Sequence, residues 1–194
     1  MKTIILRVTF LVAIALTVSV RAENNIQYNY LDFRLIADAE IEDSNIDGDG
    51  FAFGGSVRLD ELIYLFADYE VTDFDSNVDV TVLQGGVGAL LSVNKIDLLA
   101  ELALVDFDAD GRSSTIASYD GTGYRFSAGA RGYLNPQLEL RAMVSRVDVD
   151  DFEDTFLTIA GDYFLNESFS VNLSRDINAD IERFSIGLRY YLGE

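Results

Sequence analysis

The sequence predicts an all-β chain: one closed, up-and-down antiparallel barrel of ten strands that crosses a membrane, preceded by a cleavable signal peptide. Three observations carry this. Apolar and polar residues alternate with period two in segment after segment. Minimal turns alternate strictly with longer, acid-rich connections. Within the strand segments the cation is arginine, almost never lysine.

The leader comes first. Lys2 and Arg7 precede an apolar run from Val8 to Val20, and Val20 and Ala22 stand at the two positions a signal peptidase reads. The run is broken by Thr9, Thr17 and Ser19 and is shorter than the roughly 20 apolar residues of a membrane-spanning helix. Residues 1–22 are therefore expected to be removed, leaving a domain of residues 23–194 with 33 acids against 11 bases.

Composition narrows the chemistry. The chain holds no histidine and no cysteine, which excludes imidazole or thiol catalysis, zinc sites built on Cys and His, and disulfide scaffolding. A formal charge of -19 argues against nucleic acid as a partner, because phosphate binding needs concentrated positive charge.

Ten strands are expected near 26–38, 50–60, 62–72, 79–92, 96–106, 122–133, 137–147, 155–165, 168–176 and 182–192, with eight as the alternative count. Four connections are minimal and place Asp or Asn at the bend: Leu59-Asp60-Glu61, Val93-Asn94-Lys95, Leu134-Asn135-Pro136 and Leu165-Asn166-Glu167. Asp and Asn suit tight turns because their side chains bond nearby backbone and tolerate left-handed conformations. The other five, Asp38–Asp49, Asp73–Asn77, Phe107–Gly121, Asp148–Asp154 and Asp176–Asp180, are longer or more acidic. Tight turns at one end and polar loops at the other describe a closed barrel, and closure removes the two edges an open sheet would expose.

Period two alone does not say which face is enclosed. The charged face collects Asp32, Arg34, Arg58, Asp68, Glu70, Glu101, Arg125, Arg131, Glu139, Arg141, Asp162, Arg183 and Arg189, seven positive against six negative. Near-cancellation is what enclosed charges require, and the planar, multiply donating guanidinium suits enclosed ion pairs better than lysine does. The sole mature lysine, Lys95, is in a turn. The opposite face, with Leu31, Phe33, Leu65, Val87, Leu102 and Phe126, is uncharged and is expected to face lipid. Aromatics near strand ends, Tyr28, Tyr30, Tyr133, Phe169, Tyr190 and Tyr191 at the short-turn end and Phe51, Tyr69, Tyr124 and Phe156 at the other, are expected to form interface girdles. The inward glycines Gly54, Gly86, Gly88, Gly129 and Gly187 leave room for long arginines.

Two acidic segments repeat an oxygen-ligand spacing: Asp43, Asn45, Asp47 and Asp49 around Gly48, and Asp106, Asp108 and Asp110 before Gly111. Such spacing can converge on Ca²⁺ or Mg²⁺, but the closing glutamate twelve places on is missing, since Gly54 and Ala117 stand there. Weak divalent binding by loops is the expectation, with no resident cofactor.

The last strand, Ser185-Ile186-Gly187-Leu188-Arg189-Tyr190-Tyr191-Leu192, is similar to the assembly signal of small Gram-negative outer-membrane β-barrels of the OmpA-like and porin-like superfamily. Ser185, Gly187, Tyr190 and Leu192 match its polar, glycine, aromatic and hydrophobic places, and Gly193 and Glu194 extend beyond the usual terminal aromatic. The resemblance covers the whole mature chain. It implies an outer-membrane location, lipid and lipopolysaccharide as surroundings, and barrel-assembly machinery with periplasmic chaperones as partners.

The function expected is non-enzymatic: a barrel whose lumen is filled by an arginine-carboxylate network and whose acidic loops face the medium, in a structural or surface-interaction role. Enzymatic barrels of the resembled superfamily rely on histidine, which is absent. A narrow porin or cation channel is the alternative, although barrels this small are filled by their own side chains. An exported soluble barrel with the apolar face inside is the third reading.

Overall fold

The computed structural model describes residues 26–41, 46–75, 78–111, 118–150, 152–178 and 181–193. The signal peptide expected at residues 1–22, together with Asp43 and Asn45, lies outside them. Ten strands follow in order: β1 Tyr30–Ile41, β2 Ile46–Arg58, β3 Ile63–Phe74, β4 Val78–Val93, β5 Ile96–Gly111, β6 Tyr119–Asn135, β7 Leu138–Val149, β8 Phe152–Phe164, β9 Phe169–Ile177 and β10 Ile181–Tyr191. Each pairs antiparallel with its sequence neighbour, and β1 pairs with β10 from Tyr30↔Tyr191 to Ile41↔Ile181, closing the barrel.

The tight turns form as their sequences require. Asp60 Oδ1 accepts the backbone N–H groups of Leu62 and Ile63 at 2.7 and 2.8 Å, and Asn166 Oδ1 accepts those of Ser168 and Phe169 at 2.9 and 3.0 Å. Asn94 turns its hairpin at φ 58°, a left-handed conformation that asparagine tolerates.

The opposite connections differ from expectation, because strand pairing continues through most of the acidic stretches. Only residues 150–151 separate β7 from β8, and β5 runs on to Gly111. Antiparallel pairing satisfies every backbone group whatever the side chain, so acidic residues that water can reach do not end a ladder. The ends of β4, β5 and β6 thus stand above the apolar band as a raised wall.

The outward side chains form that band. Leu31, Phe33, Leu35, Leu83, Leu102, Leu104, Phe126, Val144, Ile159 and Leu188 are all exposed, Leu104 at 76 %. So large an exposed apolar surface on all sides of a cylinder suits lipid and not water. On β5 the outward face turns from Leu102 and Leu104 to Asp106, Asp108 and Asp110, which marks the upper edge of the band.

Candidate functional site

The lumen is the space the barrel encloses, and its wall carries charged residues. At the short-turn end, Arg131 on β6 donates from Nε to Glu139 Oε1 on β7 and from Nη2 to Glu139 Oε2 at 3.2 Å; the two side chains are 4 % and 1 % exposed. Arg189 on β10 bridges two carboxylates, Nη1 to Asp162 Oδ2 at 2.9 Å and Nη2 to Asp32 Oδ2 at 3.1 Å. Ser170 completes Asp162 by donating to Oδ1 at 3.1 Å. Charges this deep are tolerable because each is paired and hydrogen-bonded.

Higher in the lumen the pairs reach across intervening strands. Arg34 on β1 bonds Asp68 on β3. Tyr64 on β3 donates to Glu101 on β5 at 2.7 Å, and Arg125 on β6 meets the same carboxylate at 3.5 Å. Arg183 on β10 bonds Glu70 on β3 and also Asp176 on β9, the latter at 2.5 Å from Nη2, while Thr158 donates to the other Asp176 oxygen at 2.6 Å.

Glycine makes these crossings possible. Tyr64, Gly88 and Glu101 lie in register across β3, β4 and β5, and a Cβ on Gly88 would sit 2.1 Å from Tyr64 Cζ. Likewise Asp32, Gly54 and Asp68 lie in register across β1, β2 and β3, and a Cβ on Gly54 would come within 2.8 Å of Asp32 Oδ1 and 2.5 Å of Asp68 Oδ2.

The remaining charged residues are placed differently. Arg58 stands at the short-turn rim, donating to the Asp60 and Glu61 carbonyls at 2.8 and 2.9 Å, and so holds a turn instead of an acid. Arg141 stands opposite Arg131 in the β6–β7 register and within electrostatic reach of Asp32. Two carboxylates escaped the sequence reading. Asp97 accepts from Tyr28 Oη at 2.7 Å and Ser92 Oγ at 2.6 Å, and its inward parity beside Leu98 was the available signal. Asp176, which the sequence puts where the ninth strand meets its following connection, is a strand residue because β9 runs to Ile177.

Several aromatics expected in the girdles face inward instead. Tyr28 and Tyr191 are buried, Tyr30 and Tyr133 lie opposite the inward Ser56 and Glu139, and Phe156 lies opposite the inward Ser145. Those at the short-turn end form a floor together with Tyr64 and Phe164: Tyr133–Phe164 centroids are 5.6 Å apart, Phe164–Tyr191 5.2 Å and Tyr28–Tyr64 4.8 Å. The guanidiniums rest on it, Arg189 at 4.1 Å from the Tyr30 centroid and Arg131 at 4.8 Å from that of Tyr28. Parity explains the difference, since a tyrosine adjoining a charged inward position shares no face with it but one two places away does. Phe51, Tyr69, Tyr124, Phe169 and Tyr190 do face outward and are exposed.

The oxygen-ligand spacings do not converge in the folded chain. Asp106, Asp108 and Asp110 alternate along the outer face of β5, and Asp47 and Asp49 belong to β2. Among the described residues no group of three or more potential ligands is gathered for a metal. A strand spaces alternate carboxylates almost 7 Å apart, which is too far to close a small coordination shell. Asp108 also feels Asp110 and Asp120 on the neighbouring strand, and their repulsion holds its carboxyl above the usual aspartate range. Of the residues of the last-strand motif, Ser185 and Gly187 face inward, whereas Tyr190 and Leu192 are exposed.

The arrangement defines a transmembrane β-barrel with an apolar exterior and ion pairs along its inner wall. Its neighbours among solved structures include porins and other β-barrels. The translocator domain of autotransporter NalP from Neisseria meningitidis is similar at a TM-score of 0.50 and 11 % identity, over 98 % of this chain and 96 % of that one. A KdgM porin gives 0.46 at 8 % identity, over 84 % and 99 %. Ail, the attachment invasion locus protein of Yersinia pestis, gives 0.46 at 12 %, over 84 % and 95 %. At such identities the likeness concerns the fold. No family model and no curated protein matches the sequence.

Proposed function

We propose that this is a non-enzymatic barrel of the bacterial outer membrane, exported by a signal peptide cleaved after Ala22, with a lumen closed by its own ion pairs. The single observation that carries the reading is the sealed pair Arg131–Glu139, buried beneath an exposed apolar exterior. Charges enclosed within a greasy cylinder make sense only if the cylinder stands in lipid. The role is structural or at the cell surface, where the raised acidic wall of β4, β5 and β6 meets the medium and the lipopolysaccharide headgroups. Ser185, Gly187, Tyr190 and Leu192 would present the assembly signal to the barrel-assembly machinery, with periplasmic chaperones delivering the chain.

Divalent cations would moderate repulsion along the acidic wall as a diffuse atmosphere, without a resident metal. Two measurements test the reading. Membrane-extracted protein should migrate faster unboiled than boiled, and planar bilayers containing it should stay electrically silent. Release from cells without detergent, or stable conductance steps in the parent protein, would overturn it; the latter would favour a narrow cation pore.

A further inference from the structure

The four residues before β1 do not join the ladder that follows. Ile26, Gln27 and Tyr28 turn inward across the short-turn mouth, and Asn29 anchors them to the wall: its Oδ1 accepts the Arg58 N–H at 2.7 Å, its Nδ2 donates to the Gly193 carbonyl at 3.1 Å, and its own carbonyl accepts the Leu192 N–H at 2.9 Å. Ile26 and Tyr28 are buried in an apolar cluster with Tyr64, Leu90, Leu99 and Met143. The inserted strap packs over this part of the wall, next to the Tyr64–Glu101 hydrogen bond.

Packing holds the strap more than polar bonds do. Ahead of Asn29 its polar attachments are the Tyr28 hydroxyl donating to Asp97 at 2.7 Å and the Gln27 carbonyl accepting from Arg131 Nη2 at 3.0 Å. Ring contacts to Tyr64 and Arg131 add to them. Beside it opens a cavity of about 430 Å³ lined by Ile26, Arg58, Leu62, Leu91, Ser92 and Asp97. That volume leaves open space beside the strap.

We propose that Ile26–Asn29 is a displaceable gate over the short-turn mouth, with the Tyr28–Asp97 hydrogen bond as its latch and Asn29 as its hinge. Displacement uncovers the Asp97 carboxylate while Arg131 stays paired with Glu139, so the opened mouth favours cations. The inference rests on the closed-lumen reading above.

The test uses protein extracted from membranes, as parent, as Tyr28→Ala and as Tyr28→Phe, each with and without Leu99→Cys. The chain has no cysteine of its own, so that thiol is a unique reporter behind the strap. Losing the latch and ring should raise both open-channel occupancy in bilayers and labelling by a membrane-impermeant maleimide by about tenfold or more, with Tyr28→Phe between parent and alanine variant. Tyr28→Phe keeps the packing and replaces the alanine variant if that one loses heat-modifiable migration. A silent, unlabelled variant overturns the gate and leaves the closed lumen standing. Labelling without conductance also overturns it, since the strap would then be a cover only. A parent that already conducts steadily overturns the closed lumen itself.

Discussion

The two ends of the lumen use the same chemistry at different depths. At the short-turn end, Arg131–Glu139 and Arg189–Asp162 have side chains no more than 4 % exposed, resting on an aromatic floor and beneath the strap. Toward the loop end, Arg183 is 28 % exposed and Arg34 19 %, although each holds a carboxylate. The interior therefore has the form of a cup, its ion pairs buried at the short-turn base and part-exposed toward the loop-end mouth. Attraction between charges strengthens as water is withdrawn, but so does the penalty for leaving one alone. The base thus contributes specificity that tolerates no single loss, while the mouth can be edited.

The strongest way to break this contrast is to remove one partner at the base. Glu139→Leu would leave the Arg131 guanidinium buried without its carboxylate, which should cost about 3–5 kcal/mol. Urea titration in lipid vesicles, scored by the fraction of fast-migrating unboiled protein, reads the loss. Adding Arg131→Met should recover most of it, because an apolar pair of similar volume often replaces a buried ion pair without penalty. If Glu139→Leu proves no worse than Glu70→Leu, base and mouth are equivalent and the cup is wrong.

Gly88→Ala sharpens the middle of the comparison. Its Cβ would enter the Tyr64 ring, and both the wall and the ring are packed, so relief must come from moving Tyr64 off Glu101. The expected destabilisation is about 1–3 kcal/mol in the same titration. Tyr64→Phe, which keeps the ring and loses only the hydrogen bond, should cost less; equal losses would mean that packing against Gly88 has no part in it.

At the mouth, Asp176→Asn keeps a hydrogen-bonding side chain beside Arg183, and Glu70 continues to neutralise that cation. Partial exposure allows water to replace what is lost, so a penalty of about 1 kcal/mol or less is expected. A loss as large as that of Glu139→Leu would place the sealed region at the wrong end.

How much of this was legible follows from what each signal encodes. Period two assigns a side chain to a face, so Asp32, Glu101, Arg131 and Arg189 could be placed inside before any partner was known. The partners could not, because Arg183 meets Glu70 only after the chain closes and brings β10 within reach of β3. Turn chemistry located Asp60 and Asn166 correctly, since that bonding is local. Composition misled at the other end: acidity suggested a loop where Asp108 and Asp110 lie on a ladder, because backbone pairing is indifferent to charge that water solvates. The strap was invisible as well. Ile26, Tyr28 and Tyr30 continue the strand alternation, and only the closed mouth shows that the first two leave the wall.

The smallest effect lies outside the lumen, on the outer face of β5 above the apolar band. Repulsion from Asp110 raises the Asp108 carboxyl, so the folded barrel holds that proton more firmly than the unfolded chain does. Its favourable contribution is complete below the ordinary aspartate range and is lost as pH rises through the raised value, leaving only repulsion at neutrality. Asp108→Asn should therefore stabilise slightly at pH near 7 and not in acid. The gain should shrink as ionic strength brings the Debye length to about 10 Å at 0.1 M and below. A benefit that persists in acid or in high salt would trace to a change in packing, and Asp108 would then belong with the enclosed residues and not with the solvated wall.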